Sequence, residues 1–384
     1  MIRVSRITFV MGLVLLAQAT ISLGEEGITV ACAAYNPCKI AVASHNPITL
    51  TCVNRPTDAS IYWQYRDLSN PSAKPVTLVQ GQGSISTIPT KLLELMQRPT
   101  LISGDLKILS PEVKNTGVYT CRARGALLAH YTLDVQNAED IYISHASLGQ
   151  MVQPNTTFDL GDKGSGEMFT VWEEWQPCDR CGVQGERKKL GFCYARINSS
   201  LDLEEKVWPC GLLRAVFKDL PSTHKPELRI EMCEDSCKEP TSSKNEVELL
   251  LVDNYYTNLH GDALLKCPTA SIYRPVYWER GNVMISRLQQ LRGSGPYMLD
   301  NTTGGGSLFI PILNQSDTGI YKCFVDHRLA GRFNVIFNEM HYNPEALFDD
   351  PMDKMMIGVV LGLVFLVVLS IAIACRKTCK GTIH

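Results

Sequence analysis

The sequence predicts an all-β protein, with two β-sandwiches flanking a disulfide-rich middle module and one transmembrane helix behind them. Three observations carry this reading. Apolar residues alternate with polar ones around two widely spaced cysteine pairs, the pattern of strands with one buried face. Fourteen cysteines are present, twelve of them ahead of residue 355, and an even number in an oxidising compartment reads as a disulfide framework. Residues 355–374 carry no charge, a run long enough at ~1.5 Å per residue to cross a ~30 Å hydrocarbon core.

At the N-terminus, Arg3 and Arg6 precede an uncharged run over 7–17 and then the small residues Ala17, Ala19, Ser22 and Gly24. That is the order of a secretory signal peptide, here 1–24, with cleavage expected after Gly24 and Ala19 as the second site. At the other end Arg376, Lys377 and Lys380 follow the apolar run, so the positive-inside rule places 375–384 in the cytoplasm. The expected topology is a type I plasma-membrane protein with residues 25–354 outside the cell or in the secretory lumen. The sequons at Asn155, Asn198, Asn301 and Asn314 then face the glycosylation machinery. A formal charge of −2 and a pI near 6.5 leave no global basic field to hold nucleic acid.

The first sandwich is expected over 25–137. Ile48, Leu50 and Cys52 alternate, as do Ile61, Trp63 and Tyr65, and Asn115, Gly117, Tyr119 and Cys121 follow downstream. Cys…Trp…Cys with a Tyr two residues before the second Cys marks an immunoglobulin-like sandwich, and the long Cys52–Cys121 interval leaves room for the extra strands of a variable-type domain. Cys32 and Cys38 close a local loop. The grammar returns over 239–338 in Ala263, Leu265, Cys267, Trp278, Leu308, Ile310, Asp317, Gly319, Tyr321 and Cys323, with a shorter Cys267–Cys323 interval. Gly304, Gly305 and Gly306 form a turn before the Leu308 strand. Asn115 stands where the second copy has Asp317, which predicts a looser corner in the first sandwich.

Between them, after a linker over 138–168, the segment 169–238 holds Trp172, Trp175, Cys178, Cys181, Arg187, Lys189 and Cys193, followed by Cys210, Cys233 and Cys237. Arg187 and Lys189 are two apart, so they share one strand face from which they can lie over aromatic rings. Cys178-x-x-Cys181 admits structural disulfides, a zinc site completed by Cys193 and Cys210 or by Cys233 and Cys237, or a redox dithiol. An oxidising compartment favours the first. The segment resembles a thrombospondin type-1 repeat, with two residues rather than three inside the first cysteine pair. The resemblance implies Trp–Arg stacking and the pairing Cys178–Cys233, Cys181–Cys237 and Cys193–Cys210.

Taken whole, and carried by 172–194 and by CPTASIYRPVYW over 267–278, the chain resembles the membrane proteins of the family with sequence similarity 187. That implies a type I membrane protein and assigns no reaction. No H-E-x-x-H, G-x-S-x-G or phosphate-cradling glycine loop occurs, so no enzyme, cofactor or metal is expected. A stalk over 339–354 leads to the span. Gly358 and Gly362 lie on one face of it, a spacing that lets two helices approach for lateral homodimerisation. Cys375 and Cys379, beside basic residues at the membrane, are candidates for palmitoylation. The expected function is protein–protein recognition or adhesion, with a lumenal redox or assembly factor using Cys178 and Cys181 as the alternative.

Overall fold

The computed structural model describes residues 20–23, 27–70, 72–80, 100–198, 207–236, 251–258, 260–312, 314–337 and 351–380. The apolar core of the expected signal peptide, Gly24, Cys237 and residues 339–350 of the expected stalk lie outside these.

Ten strands build the first module: β1 (Thr20–Leu23), β2 (Ile28–Ala31), β3 (Cys38–Ala43), β4 (Ile48–Thr51), β5 (Ile61–Asp67), β6 (Val76–Gln80), β7 (Thr100–Ile102), β8 (Asp105–Ile108), β9 (Gly117–Ala123) and β10 (Ala126–Gln136). They form two five-stranded sheets, β1-β2-β4-β8-β7 and β3-β10-β9-β5-β6. Alternation sends Ile48, Leu50, Leu106 and Ile108 inward from one sheet, and Trp63, Tyr119 and Tyr131 from the other. Strand β1 falls inside the segment expected to be cleaved, so processing after Gly24 would make β2 an edge.

The middle module follows with β11 (Tyr142–His145), β12 (Thr156–Asp159), β13 (Ser165–Trp172), β14 (Gly185–Asn198), β15 (Val207–Pro209), the short helix α1 (Cys210–Val216) and β16 (Glu227–Cys233). Its sheet runs β11-β16-β14-β13-β12, with β15 added to β14. The stretch 138–168 is therefore not the free linker that the sequence suggested. It supplies β11, β12 and the start of β13, because Phe158 and Met168 bury against Ala195, Leu213 and Phe217 in a core under α1.

The third module comprises β17 (Leu251–Thr257), β18 (Asp262–Lys266), β19 (Val276–Arg280), β20 (Val283–Ile285), the helix α2 (Arg287–Leu291), β21 (Met298–Leu299), β22 (Ser307–Pro311), β23 (Gly319–Val325) and β24 (Arg328–Phe337). Its sheets are β17-β24-β23-β19-β20 and β18-β22-β21. The two sandwiches repeat one internal device. Trp63 stands opposite Cys121 and Trp278 opposite Cys323. Each indole donates its N–H to the carbonyl of a glycine at positive φ, Gly104 at 3.0 Å and Gly305 at 2.9 Å. Only a residue without Cβ turns its carbonyl inward there at no steric cost.

The expected looseness of the first corner does not appear. Tyr119 Oη donates to the Asn115 carbonyl at 2.7 Å, the same length as Tyr321 Oη to the Asp317 carbonyl. The Asn115 side chain also accepts from Glu112 N–H at 2.7 Å, as Asp317 accepts from Asn314 N–H at 2.9 Å. The corner depends on acceptor oxygens that Asn and Asp share, and charge is not needed.

One apolar core joins the modules. It runs from Val30, Leu50 and Tyr131 of the first sandwich through Leu190, Phe192 and Ile230 of the middle sheet to Ile272 and Tyr273 of the third module.

A separate unit carries the helix α3 (Pro351–Lys380), which contains the expected span, Gly358 and Gly362, and Cys375 and Cys379. No helix among the described residues is long and apolar enough to cross a membrane.

Candidate functional site

Disulfides join Cys52 to Cys121 and Cys267 to Cys323, each tying one sheet of a sandwich to the other, and Cys32 to Cys38 in the loop before β3. In the middle module Cys178 pairs with Cys233 and Cys193 with Cys210. Cys181 is also in a disulfide, and its expected partner Cys237 lies outside the described residues. Cys178 and Cys181 are thus not joined as a dithiol pair. Among the described residues no group of His, Cys, Asp or Glu is arranged to hold a metal ion.

On the open face of β14, Arg187 lies 5.2 Å over the Trp175 ring, and Lys189 lies 4.7 Å from Trp172 and 4.8 Å from Trp175. Arg187 also donates Nε to Glu231 Oε1 at 2.8 Å. Contacts of this type contribute ~0.5–1 kcal/mol each at exposed sites, so the ladder rigidifies this face. Trp208 packs elsewhere, under Lys39 of the first sandwich at 3.9 Å.

The opposite face of β14 reads Glu186, Lys188, Leu190, all buried, and enters the junction of the three modules. Glu186 accepts the backbone N–H groups of Arg287 and Leu288 at 2.9 Å each, so a carboxylate of the middle module satisfies the orphan donors at the start of α2. His145 Nδ1 accepts from Ser147 N–H, while its buried Nε2 lies 3.4 Å from Glu186 Oε1 without a hydrogen-bond partner among the described residues. Asp179 accepts from Glu186 N–H at 2.8 Å. Burial, reinforced by the Glu186 charge, pushes its carboxyl up to about 7 against the Glu186 N–H, Lys188 and Arg180. Burial likewise pushes Lys188 down to about 8 and Arg287 down to about 10. A cavity of about 30 Å³ remains here between Gln176, Lys188, Arg287 and Gly304.

Two side-chain amides lock the first sandwich to the others. Asn46 donates to Thr302 O at 2.8 Å and accepts from Ile272 N–H at 2.7 Å, while Tyr273 Oη receives Ala43 N–H at 2.7 Å. Gln136 extends β10 sideways, donating to Cys193 O at 2.8 Å and accepting Cys193 N–H at 2.9 Å. Beside it the buried Asp134 receives Gly211 N–H at 2.9 Å, and burial raises its pKa against the help of Gln136, Gly211 and Arg214. This junction escaped the sequence reading, since isolated Asn, Gln and Glu residues carry no periodic signal.

Asn155, Asn198, Asn301 and Asn314 are all exposed, on the middle and third modules. Asn155 Nδ2 donates to Glu167 at 2.8 Å, a bond that a glycan would replace.

Comparison with known proteins agrees with the first sandwich. The model of the immunoglobulin V-set domain matches residues 35–137. The resemblance to the family with sequence similarity 187 is borne out by relatives along most of the chain. The Ig-like V-type domain-containing protein FAM187A of Bos taurus is 27% identical over 86% of this chain and 84% of its own length. That of Mus musculus is 27% identical over 86% and 85%. Among solved structures, Dpr2 Ig1-Ig2 in complex with DIP-Theta Ig1-Ig3 shares 12% identity, covering 80% of this chain and 98% of that one at a TM-score of 0.24. The extracellular domain of the voltage-gated sodium channel beta4 subunit shares 19% identity over 26% and 92% at 0.20.

Proposed function

From its relationship to the FAM187A Ig-like V-type proteins, we propose that the chain is a single-pass type I cell-surface glycoprotein that recognises other proteins through its ectodomain. The observation that supports this most is the junction. Buried polar locks and a shared core fuse three modules into one body, and a surface held rigid in advance loses little entropy when it binds. The stacked ladder on β14 and the disulfides extend that rigidity and suit a thrombospondin type-1-like middle module.

The anchor in this reading is α3. Every described side chain from 358 to 373 is exposed, with Val359, Leu363, Phe365 and Ile371 on different sides, and an all-round apolar helix fits lipid. Its one described hydroxyl, Ser370, donates back to Leu366 O at 2.7 Å, as a polar group in hydrocarbon must. The alternative of a lumenal redox factor is disfavoured by the separate engagement of Cys178 and Cys181.

Surface biotinylation of intact cells, combined with glycosidase digestion, tests the placement. A biotinylated species that loses mass on deglycosylation is expected, and a glycosylated but strictly intracellular pool would defeat the cell-surface reading. Vesicles carrying the full-length protein should in addition bind cells saturably, with binding abolished by trypsin treatment of the target cells.

A further inference from the structure

The outer face of the β3-β10-β9-β5-β6 sheet carries positive charge that no acidic side chain among the described residues lining it neutralises. Register sets Gln64, Thr120 and His130 in one cross-strand row and Tyr62, Arg122 and Leu127 in the next. A shallow depression of about 340 Å³ opens over these rows, bordered also by Arg66 and Lys74, and among the described residues no acidic one lines it. Among the described residues, Arg66 and Lys74 take part in no ion pair or hydrogen bond. Arg122 donates Nη1 to Gly125 O at 3.1 Å, while its Nε is buried without a partner. His130 has its pKa lowered by burial and then by Arg66 and Arg122. Like charges held together at unspent donors cost stability unless an anion completes them.

On the loop that joins the β10 edge of the same sheet stands Tyr35, 86% exposed. Its loop is closed by Cys32–Cys38 and fixed to the β10 edge, where Ala34 N–H donates to Leu128 O at 3.1 Å. An exposed aromatic on a stapled loop loses little freedom on binding, and Tyr with Arg is the composition of an energetic centre in protein interfaces. The four sequons all follow β10, so no N-glycan of this module covers the sheet.

We propose that this face is the docking surface and that it takes an acidic segment of a protein partner. Carboxylates of that segment pair with Arg122 and Arg66, and Tyr35 anchors its edge. The flat sheet floor and the aromatic rim fit a protein better than a free acid. The proposal rests on the recognition reading above and adds the face and the partner's charge.

Fluorescence anisotropy on the full-length protein in detergent micelles provides the test. The probes are a labelled peptide of Glu-Glu-Leu repeats, a Lys-Lys-Leu control and a hyaluronan oligosaccharide. The acidic peptide should bind, more weakly as salt rises, and Arg66→Glu or Arg122→Glu should each weaken it about 10-fold, the equivalent of ~1.4 kcal/mol. Tyr35→Ser should weaken it as well, and Arg332→Glu on the third module should leave it unchanged. Arg66 is exposed, so its reversal reads the charge even if Arg122→Glu does not fold. Equal binding of both peptides, or an equal loss from Arg332→Glu, would overturn the proposal. Binding of hyaluronan with the acidic peptide ignored would instead assign the face to an acidic glycan. Should vesicles of the Arg66→Glu protein still bind cells as the wild type does, recognition stands and this face is not its site.

Discussion

Asp179 shows how one buried side chain ties the stability of the three joined modules to pH. Its carboxyl titrates near 7 when folded, against 3.8 ordinarily. The folded state therefore holds a proton that the unfolded chain releases, and stability falls as pH rises between those values, by up to ~1.4 kcal/mol per unit of difference. Lys188 acts with the opposite sign, since its pKa near 8 lies below the ordinary 10.5, so stability is regained as pH rises through that window. Asp179→Asn keeps an acceptor for Glu186 N–H but removes the titration. Thermal melts at several pH values should show a flatter dependence between pH 4 and 7 for the variant. Parallel curves for variant and wild type would mean that Asp179 keeps an ordinary pKa.

At the scale of elements, β14 divides its labour by period two. One face stacks Arg187 and Lys189 on Trp172 and Trp175, and the other drives Glu186, Lys188 and Leu190 into the junction. Gly191 makes the stack fit, because a Cβ there would meet Thr170 Cγ2 at 2.3 Å and the Trp172 ring at 2.9 Å. Gly191→Ala should destabilise the protein by ~1–3 kcal/mol through overpacking and reduce the near-ultraviolet circular dichroism of the displaced indole. An unchanged spectrum and melting point would show that β13 and β14 slide apart at no cost. On α3, a Cβ at Gly358 or Gly362 meets nothing, so Gly358→Ile with Gly362→Ile should preserve insertion. If these glycines form a helix–helix contact in lipid, the double variant should lose cell-surface crosslinking of two copies. Crosslinking equal to wild type would show that the two glycines form no helix–helix contact.

For the whole molecule, the shared core predicts cooperative behaviour. Three independently folded modules would melt in separate steps, whereas a core running from Val30 to Tyr273 couples them. Calorimetry of the full-length protein should therefore show one main transition for the three modules. Asn46→Ala leaves the buried Ile272 N–H without its partner, at ~1–3 kcal/mol, and frees the part-buried Thr302 O as well. That variant should split the transition, with the third module melting first. One unbroken transition at an unchanged temperature would show that apolar packing alone holds the junction.

The sequence by itself determined what is local and periodic. Alternation around Cys52, Trp63, Cys121, Cys267, Trp278 and Cys323 announced two sandwiches, since strand pattern and core-facing residues repeat every two positions. The two-residue spacing of Arg187 and Lys189 put them on one face for the same reason. What only the tertiary structure decided has no period. Asn46, Gln136 and Glu186 look in sequence like surface residues, and their partners Ile272, Cys193 and Arg287 lie 226, 57 and 101 residues away. The segment 138–168 reads as a linker because its strands are short and polar, yet β11 pairs with β16 across the fold. A buried hydrogen bond between distant residues is chosen by the packing of whole modules, and alternation within one strand cannot record it.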